Sequence, residues 1–185
     1  GAGAASIPGT INLNGGVRTI TVDSGAGSEL TLSGVVGNGG ISKAGGGTLI
    51  LAAANTFGGP TSVIDGRLLE LVAGALPNNQ AVIVEAAGTL DVSGFSHDFT
   101  SLTSAGAVIT AGGPLTLGSL SGTGGSIDLA NANLTVNQSA NTSYMGSIFG
   151  GGLTKTGTGR LSLGGSNLFG ADLDVNDGTL ELTNA

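Results

Sequence analysis

Apolar and polar residues alternate with a period of two along almost the whole chain, which is the pattern of half-buried β-strands. The alternating strings are short, and turn sequences such as Asn-Gly-Gly, Gly-Gly-Pro and Asp-Gly separate them. No stretch shows the 3.6-residue period of a helix, and residues 72–80 are predicted to form a turn. The pattern predicts strands at residues 10–13, 18–22, 29–32, 48–51, 62–64, 68–71, 81–85, 89–92, 101–104, 107–110, 114–117, 126–129, 133–136, 160–163, 173–175 and 179–182.

Many short aliphatic strands with frequent turns are typical of a sandwich, a barrel or a solenoid. Sandwich strands are usually longer and use aromatic side chains in the core. We therefore predict an all-β parallel β-helix, in which Leu, Val and Ile of successive coils stack into inward columns and Gly and Asn occupy the corners. At roughly 20 residues per coil and ~4.8 Å between coils, the rod has about nine coils and is on the order of 40–45 Å long.

An internal repeat supports the solenoid. The stretch at about 40–71 returns at 152–182, and with a shift of 112 positions 13 of 29 residues from Gly40 onward are identical. The identical residues are alternating aliphatics and turn-forming Gly, Asn and Asp, which is typical of a repeated structural unit. We expect a single β-helix segment over 1–185, with Asn55, Asn167, Gly66 and Gly178 at structural turns.

Neither terminus resembles the cap that closes the open end of a solenoid. The first residues, "GAGAAS", carry no pattern, and "TLELTNA" is predicted to be a strand. The expectation from the sequence is therefore an excised segment of a longer stack.

The composition argues against several classes of function. The chain has 37 Gly, five Phe, one Tyr, no Trp and no Cys, so disulfides and thiol chemistry are excluded. The net charge is −7, and the five basic residues are scattered, which argues against nucleic acid as a partner. Apolar runs are too short for a membrane-spanning helix, so we expect no direct membrane insertion of this segment.

Two stretches carry a family resemblance: "ISKAGGGTLILAAANTFGGPTSVIDGRLLEL" and "LTKTGTGRLSLGGSNLFGADLDVNDGTLEL". They resemble the autotransporter-associated β-strand repeat, and the resemblance covers most of residues 29–182. It implies a right-handed parallel β-helix from the passenger domain of a Gram-negative autotransporter. It also implies secretion to the cell surface through a C-terminal translocator barrel outside this segment. The repeat carries no catalytic motif.

Three groups of residues could carry chemistry, and each has a simpler structural interpretation. His97 lies between Ser96 and Asp98, but neighbours in an extended chain point to opposite sides, so we expect a turn residue and no triad. Asp172, Asp174 and Asp177 lack the spacing of a calcium loop, so a solvated face is expected and no metal or cofactor. The sequons at Asn133, Asn137 and Asn141 are interpreted as an Asn-rich turn region.

The sequence thus predicts a non-enzymatic, stiff surface stalk or scaffold. An alternative makes one face of the rod an adhesin that binds another copy or a host-surface molecule. A glycan-active β-helix enzyme is a further alternative, but such sites need clustered charges and aromatic platforms. Between Phe99 and Thr154 the one charged residue is Asp128.

Overall fold

The computed structural model describes residues 4–25 and 27–183, so residues 1–3, 26, 184 and 185 of the predicted segment lie outside the described residues. The described residues form parallel strands and contain no helix. The strands are β1 Ala5–Ile7, β2 Ile11–Asn12, β3 Val17–Thr21, β4 Glu29–Leu32, β5 Val36–Gly37, β6 Gly40–Ala44, β7 Thr48–Leu51, β8 Thr61–Glu70, β9 Ala81–Asp91, β10 His97–Phe99, β11 Ser101–Ser104, β12 Ala107–Ile109, β13 Leu115–Leu117, β14 Leu120–Ser121, β15 Ser126–Asp128, β16 Asn133–Asn137, β17 Thr142–Tyr144, β18 Ser147–Phe149, β19 Gly152–Thr156, β20 Arg160–Leu163, β21 Leu173–Val175 and β22 Thr179–Leu182.

The strands stack into a β-solenoid of about nine turns with three faces. Face 1 contains β1, β4, β7, the second halves of β8 and β9, β12, β15 and β18. Face 2 contains β2, β5, β10, β13, β16, β19 and β21. Face 3 contains β3, β6, the first halves of β8 and β9, β11, β14, β17, β20 and β22. The chain passes over the three faces in this order in each coil, so the prediction of a parallel β-helix is confirmed.

The core consists of aliphatic columns that run along the rod. On face 1 the parallel register stacks one inward residue from each coil on its equivalent in the next coil. Because these side chains, except the partly buried Leu30, are enclosed by the coils above and below, truncation to Ala should cost about 2–5 kcal/mol. The column is Leu30, Leu49, Leu68, Leu90, Val108, Ile127 and Ile148.

The observed strands agree with the alternation pattern at 29–32, 48–51, 101–104, 160–163, 173–175 and 179–182. The predicted pairs 62–64 with 68–71, and 81–85 with 89–92, are each one continuous strand that bends across a corner. The pattern missed β6 and β19, because Lys43 and Lys155 occupy inward positions that the alternation rule reserves for apolar residues. It also missed β1, β5, β10, β14, β17 and β18, which have only two or three residues each.

The two sequence repeats begin on different faces of the solenoid. The first copy starts with β6 on face 3, and the second starts with β19 on face 2. The repeat distance is therefore not a whole number of coils. The same sequence unit forms the same local structure from a start one face earlier in the coil, so the unit is not tied to one face of the solenoid.

Candidate contact surface

A column of hydroxyl side chains runs along the outside of face 3. Outward positions alternate with the buried positions of each strand, so one outward residue per coil falls into register with the next. Seven of the eight successive positions carry Ser or Thr, and the exception is Ile83. This hydroxyl ladder consists of Thr19, Ser42, Ser62, Ile83, Thr103, Ser121, Ser143 and Ser162.

Two hydroxyls of the ladder bond to each other between neighbouring coils. Thr103 Oγ1 and Ser121 Oγ lie 3.1 Å apart, which is a hydrogen bond between neighbouring coils. A shallow groove of about 220 Å³ lies beside them, and Glu85 and Thr123 are among its lining residues. Ser42 and Ser162 are largely buried, whereas Thr19, Thr103 and Ser143 are exposed, so accessible hydroxyls occur near the N-terminal end and in the second half of the ladder.

The other faces carry different outward chemistry. Face 2 presents Thr116, Thr135 and Thr154 in one column between Asp98 and Asp174. On face 1, two aspartates interrupt an otherwise apolar column, which is Ile50, Leu69, Asp91, Ile109, Asp128 and Phe149. Over residues 99–154 the charge of Asp128 is therefore on face 1, and the acidic residue beside the hydroxyl ladder at Thr103 is Glu85 of the preceding coil.

His97 is not a turn residue, so the expectation from the sequence is wrong here. It lies in β10, is only 4% exposed, and its Nε2 is 2.5 Å from Glu70 Oε2. Its ring stacks on Phe99 with 5.0 Å between the ring centroids. Both His97 and Phe99 point inward on either side of outward Asp98, and this alternation was the signal that the sequence offered.

The three sequon asparagines do not form one turn region. Asn133 and Asn137 are the first and last residues of β16, which corrects the expectation of a turn, and both are exposed. The Nδ2 of Asn133 donates to Thr154 Oγ1 at 3.0 Å. Asn141 lies outside the strands, and its Oδ1 accepts a hydrogen bond from Arg160 N at 2.8 Å. All three side chains therefore belong to the surface of the rod.

The acidic residues at the C-terminal end are exposed. Asp172, Asp174 and Asp177 all lie on the surface, and Asp177 Oδ1 accepts a hydrogen bond from Gly178 N at 2.7 Å. Within residues 4–25 and 27–183, no group of three or more His, Asp or Glu residues is placed to hold a metal ion. The same ranges hold no helix of the length and hydropathy that crossing a bilayer requires.

The four candidate turn residues lie at coil corners. Asn55 Oδ1 accepts from Val36 N at 2.8 Å in the preceding coil, and Asn167 Oδ1 accepts from Ile148 N at 3.0 Å in the same way. Gly66 and Gly178 have φ angles of +68° and +71°. L-residues with a side chain rarely adopt this conformation.

Sequence reasoning gave no role to the two lysines. Lys43 and Lys155 are both 0% exposed, and each ammonium group donates to three backbone carbonyls at a corner. The matching positions of the two lysines in the repeat were a signal that pointed to a shared structural task.

Comparison with known proteins agrees with the fold. The family described as passenger-associated-transport-repeat matches residues 41–69 and 153–182. A Brucella suis biovar 1 (strain 1330) protein, "Adhesin BmaC autotransporter", is 36% identical over 175 residues, which are 91% of this chain and 5% of that protein. The chain thus spans about one twentieth of the length of this curated relative. No solved structure matches the chain significantly.

Proposed function

We propose that this chain, a member of the autotransporter passengers built on the passenger-associated-transport repeat, acts as a stiff stalk at the bacterial surface. Secretion across the outer membrane displays such a passenger outside the cell. The observation that carries the proposal is the unbroken stack of parallel coils with aliphatic columns inside. Bending such a rod requires breaking backbone hydrogen bonds between coils and opening a closely packed core.

The same architecture suits export. Each coil pairs with the coil before it, so the stack can grow one coil at a time as the chain emerges. In the full-length parent, a translocator partner would deliver this segment to the outside. The chain has no cysteine, so no disulfide can lock it before it crosses the membrane.

A second candidate function is adhesion through the hydroxyl ladder. Thr103 and Ser143 are exposed, Ser121 is half-buried, and residues 99–154 add no charge to this face, so a partner can bind these hydroxyls with little desolvation of ions. Hydroxyl groups both donate and accept, which suits contact with a second copy or with polar molecules of a host surface. The resemblance to a protein named an adhesin favours contact over catalysis, and the glycan-active alternative has no comparable support.

The stalk proposal is tested by the shape of the 185-residue chain in solution. Light scattering across concentration should give the mass of a monomer, and small-angle X-ray scattering should give a rod on the order of 40–45 Å long, from about nine coils at ~4.8 Å each. Far-UV circular dichroism of the same sample should show β-structure. A coil spectrum, or a compact sphere of the same mass, would contradict the stalk.

The adhesive alternative is tested with a matched pair of charge insertions. Thr103→Arg places a long cation on the hydroxyl ladder, and Thr135→Arg places the same cation on face 2. If face 3 is the adhesin, beads coated with the chain should clump or attach to cultured host cells, and only Thr103→Arg should abolish this. Equal loss in both variants, or no adhesion by the wild-type chain, would leave the stalk as the function of this segment.

A further inference from the structure

Lys43 is a buried cation held entirely by backbone oxygens. Its Nζ donates to Ala44 O at 3.0 Å, to Gly45 O at 2.5 Å and to Asp65 O at 2.9 Å. The first two carbonyls belong to the coil of Lys43, and the third belongs to the following coil, because Asp65 follows the stretch of β8 that pairs with β6. The ammonium group therefore joins two successive coils at one corner.

The second repeat builds the same site on another corner. Lys155 Nζ donates to Thr156 O and Gly157 O at 2.6 Å each, and to Asp177 O of the following coil at 3.5 Å. The site has moved from the corner between faces 3 and 1 to the corner between faces 2 and 3. It therefore belongs to the repeat unit and not to one position in the rod.

The Asp-Gly pair of the following coil is shaped to complete the site. In both copies the Asp Oδ1 accepts a hydrogen bond from the next Gly N at 2.7 Å, which fixes the corner. The Gly has a positive φ, and a Cβ at this position would collide with carbonyl oxygens of the glycines that follow the lysine. Five of the residues that are identical between the copies serve this corner: Lys43, Gly45, Gly47, Asp65 and Gly66, with their equivalents in the second copy.

Burying the charged ammonium group of the lysine is unfavourable, and the next coil reduces this free-energy penalty. Burial lowers the pKa of Lys43 from its ordinary value, and the Asp65 carboxylate opposes this change. Burial likewise lowers the pKa of Lys155, and the Asp177 carboxylate opposes this change. Without the following coil, each ammonium group would lose both a carbonyl ligand and the nearest carboxylate. A buried charge without its partners is strongly unfavourable.

We propose that each repeat is a latch, in which the buried lysine of one coil is completed by the Asp-Gly corner of the next coil and locks that coil onto the stack. The latch acts in both directions. The lysine holds the next coil through its hydrogen bond, and the next coil shields the ammonium group from solvent. A stack that grows coil by coil would thus be secured at each repeat. This inference concerns the assembly of the rod and holds whichever face contacts a partner.

The chain offers a direct readout, since Lys43 and Lys155 are its only lysines. An amine-acylating reagent labels a lysine side chain only when its latch opens, and peptide mass spectrometry separates the two sites. In the folded wild-type chain, both lysines should acylate at least tenfold more slowly than free lysine. Lys155 should react faster than Lys43, because its bond to the following coil is longer and Asp177 is exposed.

Two glycine variants test whether the following coil controls the lysine. Gly66→Ala keeps the Lys43 side chain but should force its coil and the following coil apart, because the new Cβ would lie 2.5 Å from Gly45 O. The acylation rate of Lys43 should therefore rise severalfold while that of Lys155 changes little. Gly178→Ala should do the reverse. Gly58→Ala is the control, because a Cβ at that position meets nothing within 4 Å. An unchanged Lys43 rate in Gly66→Ala would overturn the latch.

Amide hydrogen exchange tests whether the lysine in turn holds the following coil. Lys43→Met removes the ammonium group at similar length, and exchange in β8 should then accelerate severalfold more than exchange in β6. Lys155→Met should likewise loosen β21 and β22, and since these strands form the last described coil, the rest of the rod can stay folded. Unchanged or slower exchange in both variants would show that the lysines merely fill the core and would contradict the proposal.

Discussion

Glu70 and His97, which lie in consecutive coils, form a closed pair inside the rod. Glu70 is 1% exposed and His97 is 4% exposed, and their side chains meet at 2.5 Å. The second oxygen of Glu70 accepts a hydrogen bond from Leu76 N at 3.1 Å. One carboxylate therefore holds both the strand β10 and the turn at 72–80, which is the longest break between strands in this part of the chain.

Removing one member of this pair should destabilise the chain strongly. His97→Ala leaves the Glu70 carboxylate in the core with only the amide of Leu76, and breaking such a buried pair typically costs about 3–5 kcal/mol. Chemical denaturation followed by circular dichroism measures this loss. Asp98→Asn is the control, because Asp98 is exposed and should change stability by at most about 0.5 kcal/mol. Equal stability of the two variants would show that the pair is dispensable.

Tyr144 makes the unfolding of the chain sensitive to high pH. It is 0% exposed, and burial raises its pKa well above the ordinary value of 10.0. The stability from this group is complete below pH 10, where the phenol is neutral in both states. Above pH 10 only the unfolded chain releases the phenol proton, so the contribution of Tyr144 to stability should fall by about 1.4 kcal/mol per pH unit. The lowered pKa values of Lys43 and Lys155 act in the opposite direction below pH 10.5, so the contribution is taken as the difference from Tyr144→Phe. Denaturation curves between pH 9 and 11.5 measure the fall.

Tyr144→Phe is the matched variant. Among the described residues, the Tyr144 hydroxyl has no hydrogen-bond partner, so its removal at pH 7 should cost little or even stabilise the chain. The variant should also lose stability less steeply above pH 10. Because the chain has one tyrosine, tyrosinate absorbance reports this group directly. Absorbance that rises near pH 10 while the chain is still folded would disprove the argument.

The glycines of the Asp-Gly corners should tolerate no side chain. A Cβ at Gly178 would lie 2.5 Å from the carbonyl oxygens of Gly157 and Gly159, and the φ of +71° is itself unfavourable for an L-residue. Gly178→Ala should therefore destabilise the chain by at least about 1–2 kcal/mol from the backbone conformation alone. The measurement is a thermal melt beside Gly58→Ala, whose Cβ has open space. Identical melting of the two variants would contradict the packing.

The period of two predicted an all-β fold, because outward and inward residues alternate in any strand, and the short aliphatic strands and the internal repeat selected the solenoid. It also placed most of the longer aliphatic strands. It could not place β6 and β19, since the inward Lys43 and Lys155 look like surface residues until their carbonyl ligands are seen. The sequence pattern wrongly predicted a turn at His97. Its partner Glu70 lies 27 residues earlier, and only the stacking of the coils brings the two side chains together.

The hydroxyl ladder was hidden for a related reason. Each Ser or Thr is unremarkable in its own strand, and the column exists only through the register between coils. That register varies, because Leu49 pairs with Leu68 after 19 residues and Leu68 pairs with Leu90 after 22. A fixed repeat length read from the sequence would therefore have misaligned the face.

The two repeat asparagines should differ in importance. Asn55 connects three coils, since its Oδ1 accepts from Val36 N at 2.8 Å and its Nδ2 donates to Ala75 O at 2.6 Å. Asn167 also reaches back, to Ile148 N, but its Nδ2 donates to Gly164 O within its own coil. Asn55→Ala leaves backbone groups of two neighbouring coils unpaired and should cost about 1–3 kcal/mol for each buried group. Asn167→Ala should cost less, and denaturant titration of both variants in parallel measures the order. The reverse order would show that the link to the following coil adds nothing at this corner.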